Sequence, residues 1–360
     1  MTSLPPNSTI GIVGGGQLGR MIGLAAARLG YRVHVFTDQA GSSAAQITDQ
    51  ATVAAYDDLD AMRRFAQTVD VVTIEFENLP VEGLQAIASD VSVCPSPDVL
   101  AVCQDRLLEK QFLQSLDVPT APFAAVGTAA ELKSAIETIG APSVLKTRRM
   151  GYDGKGQVMI QAGDALDTAW HALRGSESVL EGFVTFEREI SVITARTADG
   201  EKASYVPVEN QHEHHILAKT IAPAPIPDSQ ATAAIALAER IADGLDLVGL
   251  VAVEMFQTFD DDILVNELAP RPHNSGHWTM DACLVSQFEQ VVRAITGLPL
   301  GAPERFADAE MDNLLGDAAE AWPDLIKRPT SRLHLYGKTP IRPGRKQGHI
   351  TTLRLPAAPS

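Results

Sequence analysis

VAVEMFQTFDDDILVNELAPR, residues 251–271, reads as one β-hairpin, with two apolar, β-branched runs flanking Asp260, Asp261 and Asp262. A two-residue turn at Asp260 and Asp261 pairs Phe259 with Asp262, and that register sets Glu254 directly opposite Glu267. Like charges facing each other across a ladder are destabilising unless a cation lies between them. Mg²⁺ suits such a pair, because it accepts carboxylates, keeps several waters and takes further ligands from substrate phosphates. The ordinary alternative is two solvated glutamates on a hairpin's outer face. The second strand runs straight into Arg271, Pro272, His273, Asn274, Ser275, Gly276 and His277, a run of donors without apolar filler. Loops of that composition usually carry a site.

Working outward, 360 residues at 45% hydrophobic content suffice for two or three cores. The net charge of −16 argues against nucleic acid or an anionic membrane surface as partner, so any phosphate ligand must be met by local cations. Cys94, Cys103 and Cys283 lack paired spacing and suggest neither disulfides nor a thiolate metal site. The start MTSLPPNSTI has no signal-peptide pattern and no run reaches membrane-spanning length, so a cytoplasmic location is expected.

A strand at 9–14, a helix at 17–29 and a strand at 32–37 make a βαβ start, and a further strand, Val71 to Ile74, ends in Glu75, Phe76, Glu77 and Asn78. A helix from about Asp98 to Ser115 follows, with a first domain boundary near 105. The middle predicts helices at 129–139 and 164–174, strands at 143–147 and 157–160, and strands over 178–222. A helix at 228–244 precedes the hairpin, a helix at 281–296 follows it, and short strands near 332–338 and 348–355 close the chain.

Five motifs carry chemistry. In GIVGGGQLGR, Gly14, Gly16 and Gly19 satisfy G-x-G-x-x-G with Asp38 at the place of a ribose-binding acid; a dinucleotide, another phosphate ligand or only a tight strand-to-helix turn would each explain it. SVLKTRRMGYDGKGQVMI describes a strand, a glycine loop and a strand, a hairpin flap able to close over phosphates, or simply a basic solvated turn. EGFVTFEREISV offers backbone groups to a base and a carboxylate to a ribose. ENQHEHHIL invites a zinc reading through His212, His214 and His215, although one histidine near phosphate fits better where no cysteine is close. Near the end, Lys338, Arg342, Arg345 and Lys346 gather cations suited to a phosphomonoester.

In order and spacing, GGGQLGRM, TIEFEN, QDRLLEK, KTRRMGYDGKGQ, ENQH, NELAPRPHNSGHWT and YGKTPIRPGRKQGH resemble the motifs of the 5-(carboxyamino)imidazole ribonucleotide synthetases, a branch of the ATP-grasp superfamily. The resemblance implies an α/β (α+β) ATP-grasp fold. A Rossmann-like pre-ATP-grasp domain would occupy 1–105, the ATP-grasp domain 106–298 with its flap at about 120–178, and a small β-rich domain 299–360. It implies a ligase of purine biosynthesis that carboxylates 5-aminoimidazole ribonucleotide using ATP, bicarbonate and Mg²⁺, as a homodimer.

By the same resemblance, ATP would be bound by Arg106, Lys146, the loop Gly151, Tyr152, Asp153, Gly154, Lys155, Gly156 and Gln157, by Glu181, Gly182, Phe183 and Val184, and by Glu189, His212, Asn266 and Glu267. Glu254 and Glu267 would hold the metal. Gln17, Leu18, Glu75, His273, Asn274, Lys338 and Arg345 would line the acceptor site, and Tyr152, Asp153, Lys155 and Arg271 would serve the chemical step. Two departures stand out. Lys155 stands where many relatives carry Arg, which puts bidentate anion binding there in doubt. Ala269 stands where the wider superfamily often has a metal-ligating Asn. The alternatives are a formate-dependent glycinamide ribonucleotide transformylase or another ATP-grasp ligase, and, from the glycine fingerprint alone, an NAD-dependent oxidoreductase.

Overall fold

A computed structural model describes residues 3–151 and 154–355. Tyr152 and Asp153, both expected at the chemical step, lie outside the described residues.

The amino-terminal unit contains β1 (Thr9–Val13), α1 (Gln17–Arg28), β2 (Arg32–Thr37), β3 (Gln50–Val53), α2 (Leu59–Ala66), β4 (Val71–Ile74), α3 (Val81–Gln85) and β5 (Ser92–Val93). Its strands form one parallel sheet in the order β3-β2-β1-β4-β5. Both faces are covered, as a sheet of near-continuous apolar strands requires. Phe36, Met62, Phe65 and Leu84 fill one side, and Ile12, Met21 and Ile22 of the other side join a core that continues into Phe288 and Val292 of a later helix.

The helix expected from Asp98 to Ser115 is two: α4 (Pro97–Cys103) and α5 (Arg106–Ser115). Asp105 interrupts them because its carboxylate caps α5, accepting the N–H groups of Leu107 and Leu108 at 3.0 and 3.3 Å. Next come β6 (Phe123–Val126), α6 (Ala129–Ile139), β7 (Ser143–Thr147), β8 (Gln157–Ile160), α7 (Leu166–Ala172) and β9 (Ser178–Gly182). These make a four-stranded antiparallel sheet, β6-β9-β7-β8, with its own small core around Leu132, Leu145 and Leu180.

The rest builds one large antiparallel sheet. Its strands are β10 (Phe186–Arg196), β11 (Lys202–Ser204), β12 (Val208–Glu213), β13 (Ile216–Ala222), β14 (Gly249–Thr258), β15 (Ile263–Ala269), β16 (Asp308–Leu315), β17 (Ser331–Leu335) and β18 (Lys346–Arg354). They run β15-β14-β10-β12-β13-β16-β18-β17, with β11 beside β10. The carboxyl-terminal strands of the β-rich segment expected at 299–360 therefore extend the sheet of the preceding domain; β16, where no strand was expected, makes the join by pairing with β13. Helix α8 (Asp228–Gly244) packs on β10 and β14 through Ala234, Ala238 and Ile241. The helix expected at 281–296 is a short α9 (Thr279–Ala282) and α10 (Gln287–Ile295), the latter capped by Ser286.

The opening hairpin differs from expectation in an instructive way. The turn is not two residues long: Thr258 pairs with Asp262 around a three-residue loop in which Asp261 adopts φ +66°. That shifts the register by one, and a bulge at Asn266 shifts it back, so Glu254 still faces Glu267.

Candidate active site

The Asn266 bulge breaks the inward-outward alternation of β15, so both Asn266 and Glu267 reach a cavity of about 900 Å³ that Glu254 also lines. Each facing carboxylate has its own nitrogen partner. His273 Nε2 is 2.9 Å from Glu254 Oε1, and Arg106 Nη1 is 3.0 Å from Glu267 Oε2. Burial alone would raise the Glu254 pKa; His273 and His212 outweigh it and hold the group below the usual carboxylate range. Asn266 Oδ1 is buried and has no hydrogen-bond partner among the described residues.

Across the cavity, Glu181 on β9 receives Lys146 Nζ at 3.0 Å and lies 3.5 Å from Lys110 Nζ. Its burial would raise the pKa, but the two lysines bring it down to about 2. Burial is likewise the largest influence on Lys146 and lowers its pKa. Gly182, Phe183 and Val184 follow as the strand ends, and Phe183 is exposed into the cavity mouth. Glu189 on β10 stands 3.0 Å from His212 Nδ1 on β12. Burial opposes the charge on His212 and Glu189 restores it, for a net rise in pKa.

The glycine loop between β7 and β8 covers one side of the cavity. Gly151, Gly154, Lys155 and Gln157 line it, whereas Gly156 does not and instead turns the chain at φ +71° beside Thr147. The base of the loop is tied to α5: Arg148 donates to both Asp105 oxygens at 3.0 and 2.8 Å, and Arg149 to Gln104. His214 and His215 form the two-residue tip between β12 and β13 at φ +51° and +64° and close the cavity wall; among the described residues His212, and neither of these two, joins a metal-like cluster, with Glu189 and Glu254.

The loop after β15 also lines this cavity. Arg271 is anchored by Glu77, and Asn274 is 7% exposed with neither amide atom partnered among the described residues. His277, by contrast, is fully buried against Gln287 and Phe288 and belongs to the core.

A second cavity of about 360 Å³ brings together Glu75, Asp38, Lys338 and Arg345. Burial lowers the Lys338 pKa, with Glu75 opposing, to about 8. Glu75 explains the glycine fingerprint: its carboxylate accepts the N–H groups of Gly16 and Gly19 at the amino terminus of α1. A Cβ on Gly14 or Gly16 would fall 2.1 or 2.4 Å from the Glu75 side chain. The place where a dinucleotide pyrophosphate would sit is thus filled by the protein's own carboxyl group, which removes the oxidoreductase reading. Leu18 is a core side chain, and neither Gln17 nor Leu18 lines either cavity; their N–H groups, at the first two positions of α1, are what they can offer. The two cavities share walls, since Glu75 and Phe76 line one and Glu77 and Asn78 the other, as do Arg345 and Lys346.

Asp105, Glu109, Lys110, Glu77 and Arg148, which organise these walls, were not among the expected site residues. Charged residues on a helix are ordinarily solvated, and nothing in the pattern of α5 marks Glu109 and Lys110 as 2% and 0% exposed.

A nucleotide-sized cavity between a flap sheet and a large antiparallel sheet that supplies facing carboxylates defines the ATP-grasp class. Family models agree: the ATP-grasp domain matches residues 111–288, the ribonucleotide synthetase preATP-grasp domain 7–104 and the phosphoribosylaminoimidazole carboxylase C-terminal domain 309–356. An N5-carboxyaminoimidazole ribonucleotide synthase from Brucella melitensis is 47% identical over 98% of both chains. A crystal structure of an N5-carboxyaminoimidazole ribonucleotide synthetase–ADP complex superposes with TM-score 0.95 at 43% identity, covering 98% of this chain and 94% of that one. The Aspergillus clavatus synthase in complex with ADP and 5-aminoimidazole ribonucleotide does so with TM-score 0.91 at 34% identity, covering 97% and 94%. The chain spans 37% of the Dictyostelium discoideum bifunctional purine synthesis protein purC/E, to which it is 45% identical. The chain belongs to the N5-carboxyaminoimidazole ribonucleotide synthase family.

Proposed function

We infer that the protein joins bicarbonate to 5-aminoimidazole ribonucleotide with hydrolysis of ATP to ADP and phosphate, giving the carboxyamino product of purine synthesis. The observation that carries this reading is the pair of cavities with shared walls, the larger bearing facing carboxylates and unpartnered amides, the smaller bearing Lys338 and Arg345. The relatives' bound ligands and names support it.

The donor set fits Mg²⁺: Glu254, Glu267 and the unpartnered Asn266 Oδ1 are hard oxygen ligands. When bound, the ion supplies neutralisation of the nucleotide's β- and γ-phosphates. Arg106 and Lys146 add positive charge on the same side, exchanging their present carboxylate partners for phosphate oxygens. Gly182 to Val184 meet the base and Glu189 with His212 the ribose. The loop 151–157 covers the phosphates, and its Lys155 holds the bicarbonate-derived group, with Tyr152 and Asp153 at the same step. A bicarbonate oxygen attacks the γ-phosphorus and the bond to ADP breaks. The resulting carboxyphosphate yields CO₂ and phosphate behind the closed loop, which excludes water. The exocyclic amine then bonds to the CO₂ carbon and loses a proton. Lys338 and Arg345 take the 5′-phosphate, while Arg271, His273, Asn274, Glu75 and the first N–H groups of α1 surround the ring. A cytoplasmic homodimer completes the proposal. No helix among the described residues is long and apolar enough to cross a membrane.

The test is ADP release by the purified protein with Mg²⁺. Release is expected to rise when 5-aminoimidazole ribonucleotide and bicarbonate are both present, and not with glycinamide ribonucleotide and formate. Equal release with and without the first pair would overturn the assignment.

A further inference from the structure

Strand β15 is the edge of the large sheet, so the backbone groups on its outer side have no neighbouring strand. At Val265 the loop before β6 fills the gap, with the Val265 N–H donating to Pro119 O at 2.8 Å. At Glu267 two side chains of α5 do so. Lys110 Nζ donates to Asn266 O at 2.8 Å, and Leu268 N–H donates to Glu109 Oε2 at 2.8 Å. These are the two peptide groups on either side of the Glu267 Cα, and each is held by one buried ionisable side chain.

We propose that Glu109 and Lys110 are positioning residues that fix the Glu267 carboxylate for the metal by standing in for the strand that the edge lacks. The proposal rests on the reading of Glu267 as a metal ligand. The helical spacing of Arg106, Glu109 and Lys110 puts all three on one face of α5, and Arg106 engages the Glu267 carboxylate itself. Lys110 also approaches Glu181, so a shift at this point moves the base-side wall and the metal-side hairpin together. Burying ionisable groups is costly, and an edge can be capped by backbone alone, as at Val265. Leu268 N–H needs only an acceptor oxygen at this reach, which the amide of a glutamine also supplies.

The experiment contrasts shape with charge. Glu109→Gln keeps an acceptor oxygen at the same reach, while Glu109→Asp keeps the carboxyl group but draws it back by about 1.5 Å. The Mg²⁺ concentration for half-maximal ADP release is expected to stay within about twofold in Glu109→Gln and to rise about tenfold or more in Glu109→Asp, the usual size of effect for groups behind a metal ligand. In the metal-free protein, exchange of the Leu268 amide is expected to remain slow in wild type and Glu109→Gln and to accelerate in Glu109→Asp. The reverse order, or no change in either variant, overturns the proposal; if the Asp variant does not fold, fast Leu268 exchange in wild type does so. Glu267→Ala tests the parent reading separately: retained turnover there removes the metal site itself, whatever the Glu109 variants do.

Discussion

Glu181→Gln isolates the largest electrostatic commitment in the nucleotide cavity. The carboxylate is buried between Lys110 and Lys146, and its pKa falls from 4.5 to about 2 despite the opposing effect of burial. A drop of that size corresponds to about 3 kcal/mol of stability at neutral pH. Removing one member of a buried ion pair typically costs 3–5 kcal/mol, because the partners are left charged and desolvated. The two values agree, and Lys110, 0% exposed, cannot turn to water for compensation. Glu181→Gln is therefore expected to unfold at lower temperature than wild type at pH 7. The sign of the pH dependence follows from the depressed pKa: the stabilisation is complete above the unfolded value near 4.5 and is lost as pH falls toward about 2. Thermal unfolding followed by circular dichroism at pH 7, 4.5 and 3.5 should thus show the gap between the two proteins closing toward low pH. A constant gap, or none at pH 7, would refute the assignment of this stabilisation to the Glu181 charge.

Two further outcomes are expected. Because the Lys338 pKa is lowered to about 8, its ammonium is lost as pH rises through that value, so kcat/KM for the ribonucleotide should fall above pH 8 while that for ATP does not follow it. Lys338→Arg should remove this fall, and Lys338→Ala should raise KM for the ribonucleotide alone; an effect confined to ATP moves the phosphate site elsewhere. Gly14→Ala combines φ +123° with a Cβ 2.1 Å from Glu75 Cγ, so a loss of about 3 kcal/mol or more is expected in thermal unfolding, and a wild-type melting temperature would mean that Glu75 does not occupy the helix end.

What could be read in the chain divides along a physical line. Periodicity is a property of neighbours in sequence, and elements governed by it, such as α6, α8 and β4, lie where their patterns put them. The facing of Glu254 and Glu267 shows how a correct relation can rest on a wrong local step: the loop is one residue longer than its composition suggested, and the Asn266 bulge cancels the shift. Neither feature has a strong local signature, since Asp261 tolerates positive φ as a side chain able to bond its own backbone, and a bulge needs no glycine. The glycine fingerprint left three readings open for a different reason. Its residues are those that a close approach to a helix terminus demands, but sequence cannot say whether the approaching acceptor is a ligand or Glu75, fifty-six residues downstream of Gly19. The roles of Glu109 and Lys110 were hidden in the same way. A charged residue is placed in the interior only when distant backbone, here Asn266 and Leu268, makes up its hydrogen bonds, and that information resides in the docking of α5 on β15, not in α5 itself.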